Sequence, residues 1–558
     1  MMEERKDTAA VQKMRVDRAA SSLCMAYLLI AFFAFGLAAL AGVLQGLVRG
    51  GMVTLPGGIN YYQLLTAHGV LMGLVFTTFF IIGFLISGVA RTTGGALTPG
   101  SLRLGWIGWA LMTVGTLIGV VTILRNDASV LYTFYAPMKA SPYFYIGTAL
   151  LVVGSWIAGI GIIASYRAWR KRNPGKTSPL FSFMAVATIV LWFIATIGVA
   201  VSVVFLLIPW SFGWVDRVNV LLTRTLFWYF GHPLVYFWLM PAYIAWYVNI
   251  PRIIGGKLFS DALARLAFLL LILFSIPVGF HHQLTEPGVS ADWKFVHVIL
   301  TFAVVIPTLM TAFSLFAVFE TTGRAKGAKG LFGWFAVLPW KDVRFFAPMI
   351  GMLAFIPAGA GGIINASNQL NQVVHNTIWV TGHFHLTAAT SVTLTFFGVS
   401  YWLIPALTGR TLTAGINRLG ILQTVLWTIG MLIMSGSMHY LGLMGAPRRT
   451  AYTTYGDSAA ALGWMPYHQL MAIGGVLLFL AAALMVGIVI YLAFFAPKGM
   501  TEYPIGEEAA GALATPRILE RWPVWIGISV FLILIAYGMP IMDQVTHVPP
   551  GSPPIRTW

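Results

Sequence analysis

Eleven histidines punctuate an otherwise apolar chain, and several are spaced for metal chemistry. His383 and His385 sit two residues apart in GHFHL. On a helix, positions i and i+2 point about 200° apart, so these rings leave opposite faces and cannot share one metal. They suit two separate prosthetic groups flanking one helix. His281 and His282 are adjacent, about 100° apart. A common metal there needs an irregular backbone, which Pro277, Gly279 and Pro287 make available. His232 lies in GHPLVY, directly before Pro233, with Tyr236 one turn along the same face. A lone histidine in a membrane helix is ordinarily a hydrogen-bonded structural residue. Several at related depth, with His68 added in LTAHGVLMG, change that reading.

The other reactive types are phenols, hydroxyls and guanidinium groups. Tyr236, Tyr243 and Tyr247 continue the His232 face with spacings of 7 and 4 residues. Tyr236 and Tyr247 are separated by roughly 16 Å of helix rise. Thr301, Thr308, Thr311 and Ser314 lie on another apolar stretch. Most hydroxyls in membrane helices bond back to their own backbone, but facing the phenols they would form a proton wire. Arg448 and Arg449 form a guanidinium pair suited to carboxylates such as haem propionates.

These groups need elements that hold them in place, and composition says which. Hydrophobic residues make up 58% of the 558 and charged residues 9%, against about 25% charged in a soluble domain. The chain reads as one all-α integral-membrane domain over 1–558, a helix bundle of about 13 spans. Those carrying the reactive residues lie near 61–90, 218–250, 262–282, 293–320 and 373–406. The net charge of +17 comes from Lys and Arg in the short connections, where they are topology signals, so no nucleic acid is expected. Placing the N-terminus in the cytoplasm puts 25 of the 34 Lys and Arg inside and 9 outside. The C-terminus then lies outside, and the segment from His547 to Trp558 reads as an irregular outer cap. The histidines named above fall in the outer half of the bilayer, and the tyrosine stripe descends from mid-membrane toward the cytoplasm. Cys24, the single cysteine, excludes disulfides and thiolate metal sites within the chain and reads as a buried packing residue.

GHPLVY, VGFHHQ and WVTGHFHL, in that order after LTAHGVLMG, resemble subunit I of the haem-copper oxygen reductases over most of the chain. The HPLVYFWLMPAY, PTLMTAFS and APRR segments and the thirteenth span are similar to the B-family, ba-type cytochrome c oxidases. The resemblance implies a terminal respiratory oxidase that reduces O2 to water with four electrons, takes protons from the cytoplasm and pumps protons. It implies that His68 and His385 are axial ligands of a low-spin, b-type haem and His383 the proximal ligand of a high-spin, a-type haem. His232, His281 and His282 would bind one copper ion, and Tyr236 would be cross-linked to His232 and take part in catalysis. Arg448, Arg449 and His375 would meet the propionates, and Tyr243, Tyr247, Thr308, Thr311 and Ser314 would carry protons.

Departures from the family pattern matter too. Leu234 stands where many A-family oxidases have glutamate, so the proton route ending there is absent and the tyrosine and threonine route remains. Asn371 replaces an aspartate that relatives carry near the outer propionates, leaving His375 as the better outer proton-loading group. Trp228, Tyr229 and Phe230 precede His232, where the haem-facing packing differs. His297, His439, His468 and His547 match no ligand position and read as structural.

The resemblance also implies partners. A cytochrome c oxidase needs a dinuclear copper entry site, which Cys24 alone cannot supply. The expected partners are therefore a cupredoxin-like subunit II on the outer face, a small single-helix subunit, and cytochrome c or a small copper protein as donor, in a prokaryotic plasma membrane. Three other readings stand beside this one. A quinol oxidase differs only in donor. A nitric oxide reductase is expected to lack a tyrosine at 236 and to have glutamates near a non-haem iron. A transporter gives no reason for histidines on opposite faces of one helix.

Overall fold

The computed structural model describes residues 16–451, 453–508, 514–547 and 551, so most of the expected outer cap and four of the five N-terminal Lys and Arg lie outside the described residues. Thirteen long helices follow in order: α1 Arg18–Arg49, α2 Tyr61–Thr92, α3 Pro99–Leu124, α4 Pro142–Arg172, α5 Leu180–Phe212, α6 (220–253), α7 Asp261–Ser275, α8 Ala291–Ala325, α9 Val343–Ala366, α10 Ile378–Thr408, α11 Ala414–Leu443, α12 Ala459–Phe495 and α13 Trp522–Thr546. Eleven are long and apolar enough to cross a membrane; α6 and the 15-residue α7 complete the thirteen. No β-strand occurs among the described residues. Helices close every backbone hydrogen bond within one segment, which is what a hydrocarbon environment requires.

Local chemistry sets the helix starts. Asp17, Asn60, Thr98, Asn219, Ser260, Thr377 and Thr413 each accept a backbone N–H of the first turn they precede. Prolines set several interruptions. The span expected over 262–282 stops as helix at Ser275, two residues before Pro277. The chain then makes a short 3-10 turn, Gly279–Gln283, that carries the HH pair. The span expected from 373 is split: a short helix, Asn368–Val374, ends at His375, and Thr377 caps a fresh start for α10. Conversely α12 begins at Ala459, eight residues before the expected 467, because the helix runs through Pro466.

Packing places α10 at the centre, with 94% of its most apolar stretch buried. Close helix contacts use glycine: a Cβ on Gly115 of α3 would lie 2.5 Å from the Gly147 carbonyl of α4, the small-residue approach that membrane helices favour. Among the described residues, five π-helical segments lie within or at the end of the long helices. Three of them, Leu71–Phe76, Ala245–Asn249 and Thr387–Val392, begin two or three residues beyond His68, Tyr243 and His385, in keeping with the enrichment of such bulges at functional sites.

Candidate metal centre

Three imidazoles converge between α6 and the turn after α7. The ligand atoms of His232, His281 and His282 lie within 4.8 Å of one another. His232 Nδ1 is 3.1 Å from His282 Nε2, and the His232 and His281 rings are 4.3 Å apart, centre to centre. The irregularity that the adjacent pair required is present as the 3-10 turn. His281 donates Nδ1–H to Thr301 Oγ1 at 2.9 Å, which leaves Nε2 as its free lone pair. His232 Nε2 is buried with no partner, and the Tyr236 ring lies 5.2 Å from the His232 ring. Three converging imidazoles, His232 and His281 buried and His282 half-buried, fit a copper ion.

His68 and His385 form a second pair. Their rings are 6.1 Å apart with planes 6° from parallel. Each uses Nδ1–H on a backbone carbonyl, Ala38 O for His68 and Thr381 O for His385, both at 2.8 Å. The Nε2 lone pairs are thereby fixed as ligand atoms. His383 leaves the other face of α10. Its Nδ1 lies against the α9 backbone at Ala358 and Gly361, and it is within electrostatic reach of His232 and His281. The expected division of α10, one imidazole to each side, is what the backbone delivers. Two bis-facing imidazoles on one side and one imidazole opposite a three-histidine cluster on the other fit a six-coordinate and a five-coordinate haem.

Around these groups the connecting segments form a cationic pocket. Arg449 donates to Tyr135 Oη at 3.2 Å and to Tyr132 Oη at 3.0 Å. Arg448 donates to Asn376 Oδ1, and His375 Nδ1 pairs with Asn371 Oδ1. Arg448 Nε, His375 Nε2 and Arg224 Nε are buried without partners. The two arginine Nε–H groups are donors that haem carboxylates would satisfy; His375 Nε2, a lone pair while Nδ1–H is donated to Asn371, would join them on taking up a proton. Burial, then the neighbouring Arg449, lowers the Arg448 pKa to about 10. Burial, with Arg448 and Arg224, pushes His375 down to about 4. Glu286, paired with Arg224 at 2.5 Å, is the pocket's carboxylate, and burial raises its pKa despite that partner.

The tyrosine stripe and the α8 hydroxyls do face each other. Tyr247 donates to Thr311 Oγ1 at 3.0 Å, and Thr311 bonds back to Pro307 O. Ser314 lies beside Tyr247 and Thr308 beside Tyr243, yet Ser314 Oγ and Tyr243 Oη are buried without partners. Thr301 belongs elsewhere, since it holds His281.

Sequence reasoning missed the roles of four contributors, having placed Thr301 with the proton-wire hydroxyls. Trp228 stacks on His282 at 3.9 Å with planes 7° apart. Gly42 and Gly361 make room for ligand rings: a Cβ on Gly42 would lie 2.8 Å from His68, and one on Gly361 2.6 Å from His383 Nδ1. Thr301 sets the His281 tautomer. Only the threonine carried a signal, in its residue type. Of the histidines read as structural, His439 bonds to Ser435 O, His547 pairs with Asp543, and His468 is buried. Cys24 is buried as expected.

Comparison with known proteins agrees with this geometry. The family described as cytochrome c and quinol oxidase polypeptide I matches residues 22–477. Cytochrome c oxidase subunit 1 of Thermus thermophilus is 41% identical over 544 residues, covering 95% of this chain and 96% of the relative. Quinol oxidase subunit 1 of Bacillus spizizenii is 26% identical over 460 residues, covering 78% of this chain and 66% of the relative. A haem-copper terminal oxidase dimer solved by cryo-electron microscopy superimposes with a TM-score of 0.92 at 36% identity, covering 97% of this chain and 96% of that one. Family match, near full-length similarity and shared fold together mean that this chain belongs to the cytochrome c and quinol oxidase polypeptide I family, as the catalytic subunit of a haem-copper oxidase.

Proposed function

We propose that the six histidines divide the work of oxygen reduction as follows. His68 and His385 hold a low-spin, b-type haem that relays electrons. His383 holds a high-spin, a-type haem, and His232, His281 and His282 hold the copper facing it. When bound, these groups supply the four-electron reduction of O2 to water. The chain's own residues do the rest. Thr301 keeps His281 in the tautomer that binds metal, and Trp228 fixes the His282 ring plane by stacking. Tyr236, beside the unpartnered His232 Nε2, is cross-linked to it and supplies a proton and an electron at the reacting centre. Tyr247, Thr311, Ser314, Thr308 and Tyr243 pass protons to Tyr236 along the α6 and α8 interface, and buried Leu234 offers no second carboxylate route.

Arg448, Arg449 and His375 anchor the propionates, and His375 is the outer group that takes up and releases pumped protons. The N-terminus lies in the cytoplasm of a prokaryotic plasma membrane. A subunit II with a dinuclear copper domain docks outside, a small single-helix subunit accompanies it, and cytochrome c or a small copper protein is the donor. The observation that carries this reading is the close convergence of three imidazoles around one point, opposite a histidine on a helix that presents another to a parallel partner. Oxygen uptake by the purified complex, fed by reduced cytochrome c or by quinol, tests it. Uptake with cytochrome c supports the proposal, uptake with quinol alone reassigns the donor, and consumption of nitric oxide without oxygen uptake contradicts it.

A further inference from the structure

Helix α13 is peripheral, with only 28% of its most apolar stretch buried, yet beyond its first turns it makes polar contacts with α6, with α7 and the turn after it, which carry the three-histidine cluster, and with α8 beside them. Ser529 Oγ donates to Ile272 O of α7 at 3.4 Å, and Asn219, the cap of α6, donates to Gln544 O at 2.8 Å. The two contacts between these grip the 3-10 turn itself. Gly279 N–H donates to Tyr537 Oη at 2.8 Å, and that hydroxyl donates in turn to Ile276 O at 3.4 Å. Phe280 N–H donates to His297 Nδ1 at 3.2 Å, and His297 Nε2–H donates to Ala536 O of α13 at 3.0 Å. Gly279 and Phe280 open the turn, so their N–H groups have no partner within it. Both residues are buried, as are His297 and Tyr537, and buried N–H groups need acceptors. One of these acceptors is on α13. The other is an imidazole on α8 whose tautomer is fixed by an α13 carbonyl.

The same α8 face continues the grip. Thr301, one turn beyond His297, donates to His297 O at 2.6 Å and accepts from His281 Nδ1. The packing is close on both sides, because a Cβ on Gly279 would lie 2.4 Å from Tyr537 Oη and 2.6 Å from Trp228 O. Phe280 is held between the His297 ring at 4.2 Å and the Tyr537 ring at 5.4 Å. We infer that α13, acting through Tyr537 and through His297, positions the Gly279–Gln283 turn and with it the metal-binding imidazoles of His281 and His282. Both are positioning residues, and the thirteenth helix is a clamp for the copper site as well as a lipid-facing span. The inference rests on the reading of the three histidines as copper ligands.

The experiment compares purified holoenzyme complexes of the wild type, Tyr537→Phe, His297→Asn and His297→Phe, with Tyr229→Phe as a packing control in the same cluster. The readouts are the copper-to-iron ratio and the infrared stretch of carbon monoxide caught on copper after photolysis from the high-spin haem. Tyr537→Phe and His297→Phe are expected to keep both haem spectra, to bind copper about tenfold more weakly, as loss of an outer-shell partner does, and to shift or split the carbon monoxide band. His297→Asn, whose amide oxygen can accept from Phe280 N–H, is expected to recover part of the copper, and Tyr229→Phe to match the wild type. Wild-type copper content with an unshifted band in Tyr537→Phe and His297→Phe overturns the inference. If His297→Phe loses its haems, Tyr537→Phe decides alone. Wild-type protein without copper fails the ligand reading itself, a separate outcome.

Discussion

His68 and His385 face each other at 6.1 Å between ring centres, their planes 6° from parallel, although they come from helices more than 300 residues apart in sequence. Two metal–imidazole bonds of about 2 Å each, plus the distance from each ring centre to its nitrogen, account for that separation. Each Nδ1–H is spent on a backbone carbonyl, so the pair is preorganised for an axial metal before any haem arrives. His385→Ala is therefore expected to remove the low-spin haem band selectively while the carbon monoxide-binding haem remains. Reduced-minus-oxidised spectra check this, and selective loss of the carbon monoxide-binding haem would mean that the two ligands of α10 are interchanged.

Glycine opposite each ligand makes a matched pair of predictions. Gly42→Ala sets a Cβ 2.8 Å from His68, and Gly361→Ala sets one 2.6 Å from His383 Nδ1. Contacts this short force a ring to move. The first substitution is expected to shift or weaken the low-spin spectrum alone, and the second to impair carbon monoxide binding alone. The same spectra, recorded with and without carbon monoxide, distinguish them; the reverse pattern would contradict the placement of the haems on either side of α10.

Much of this site was legible because it depends on residue type and short spacing. The i, i+2 separation of His383 and His385 dictated opposite faces. The Tyr236, Tyr243 and Tyr247 stripe dictated a common face, and the prolines near His281 announced an irregular turn. Trp228 on His282, Thr301 on His281, and His297 bridging to α13 were not legible, since each contact joins segments separated by about 20 to more than 200 residues and no local period records it. Gly42 and Gly361 carry no side chain to mark them. The helix count was readable from hydropathy. The early start of α12 was not, because Pro466 and the polar residues after it resemble a boundary while the helix continues through them.

Tyr236→Phe is expected to leave haem content largely intact and abolish oxygen reduction, because the phenol beside His232 is the proposed source of a proton and an electron. Thr311→Val and Tyr243→Phe are expected to slow turnover by interrupting the α6 and α8 hydroxyl chain, with a larger deficit as external protons become scarcer at high pH. Oxygen-electrode rates from pH 6 to 9 on the purified complexes check both. An unaltered rate in Tyr236→Phe would sink its catalytic role.

At the opposite end of α7 from the histidines, buried Arg265 joins Asp261 at 2.5 Å, Glu520 at 3.2 Å and Ser178, so the segment leading into α13 is tied to α7. Removing one partner from such a buried network costs about 3–5 kcal/mol. Arg265→Ala should lower the thermal midpoint measured by haem absorbance, and adding Asp261→Asn, which neutralises the carboxylate left without its guanidinium, should restore part of it.

Burial raises the Glu520 pKa, but hydrogen bonds from Ser178 and the Arg170 guanidinium outweigh it and hold the carboxyl below its usual value. A depressed carboxylate stabilises the fold above the unfolded pKa, about 4.3, and that contribution fades as pH falls through the folded value. Glu520→Gln should therefore flatten the acid limb of stability against pH. An identical acid limb in variant and wild type would place the acid-sensitive group elsewhere.

Metal content read together with optical spectra tests the central claim most directly. For the purified complex, after subtracting copper bound by any second subunit, this account predicts two haem irons and one copper in this chain, with only one haem binding carbon monoxide. Two haems with a non-haem iron and no copper would contradict the copper assignment of His232, His281 and His282. Absence of haem after expression with adequate haem supply would contradict the account as a whole.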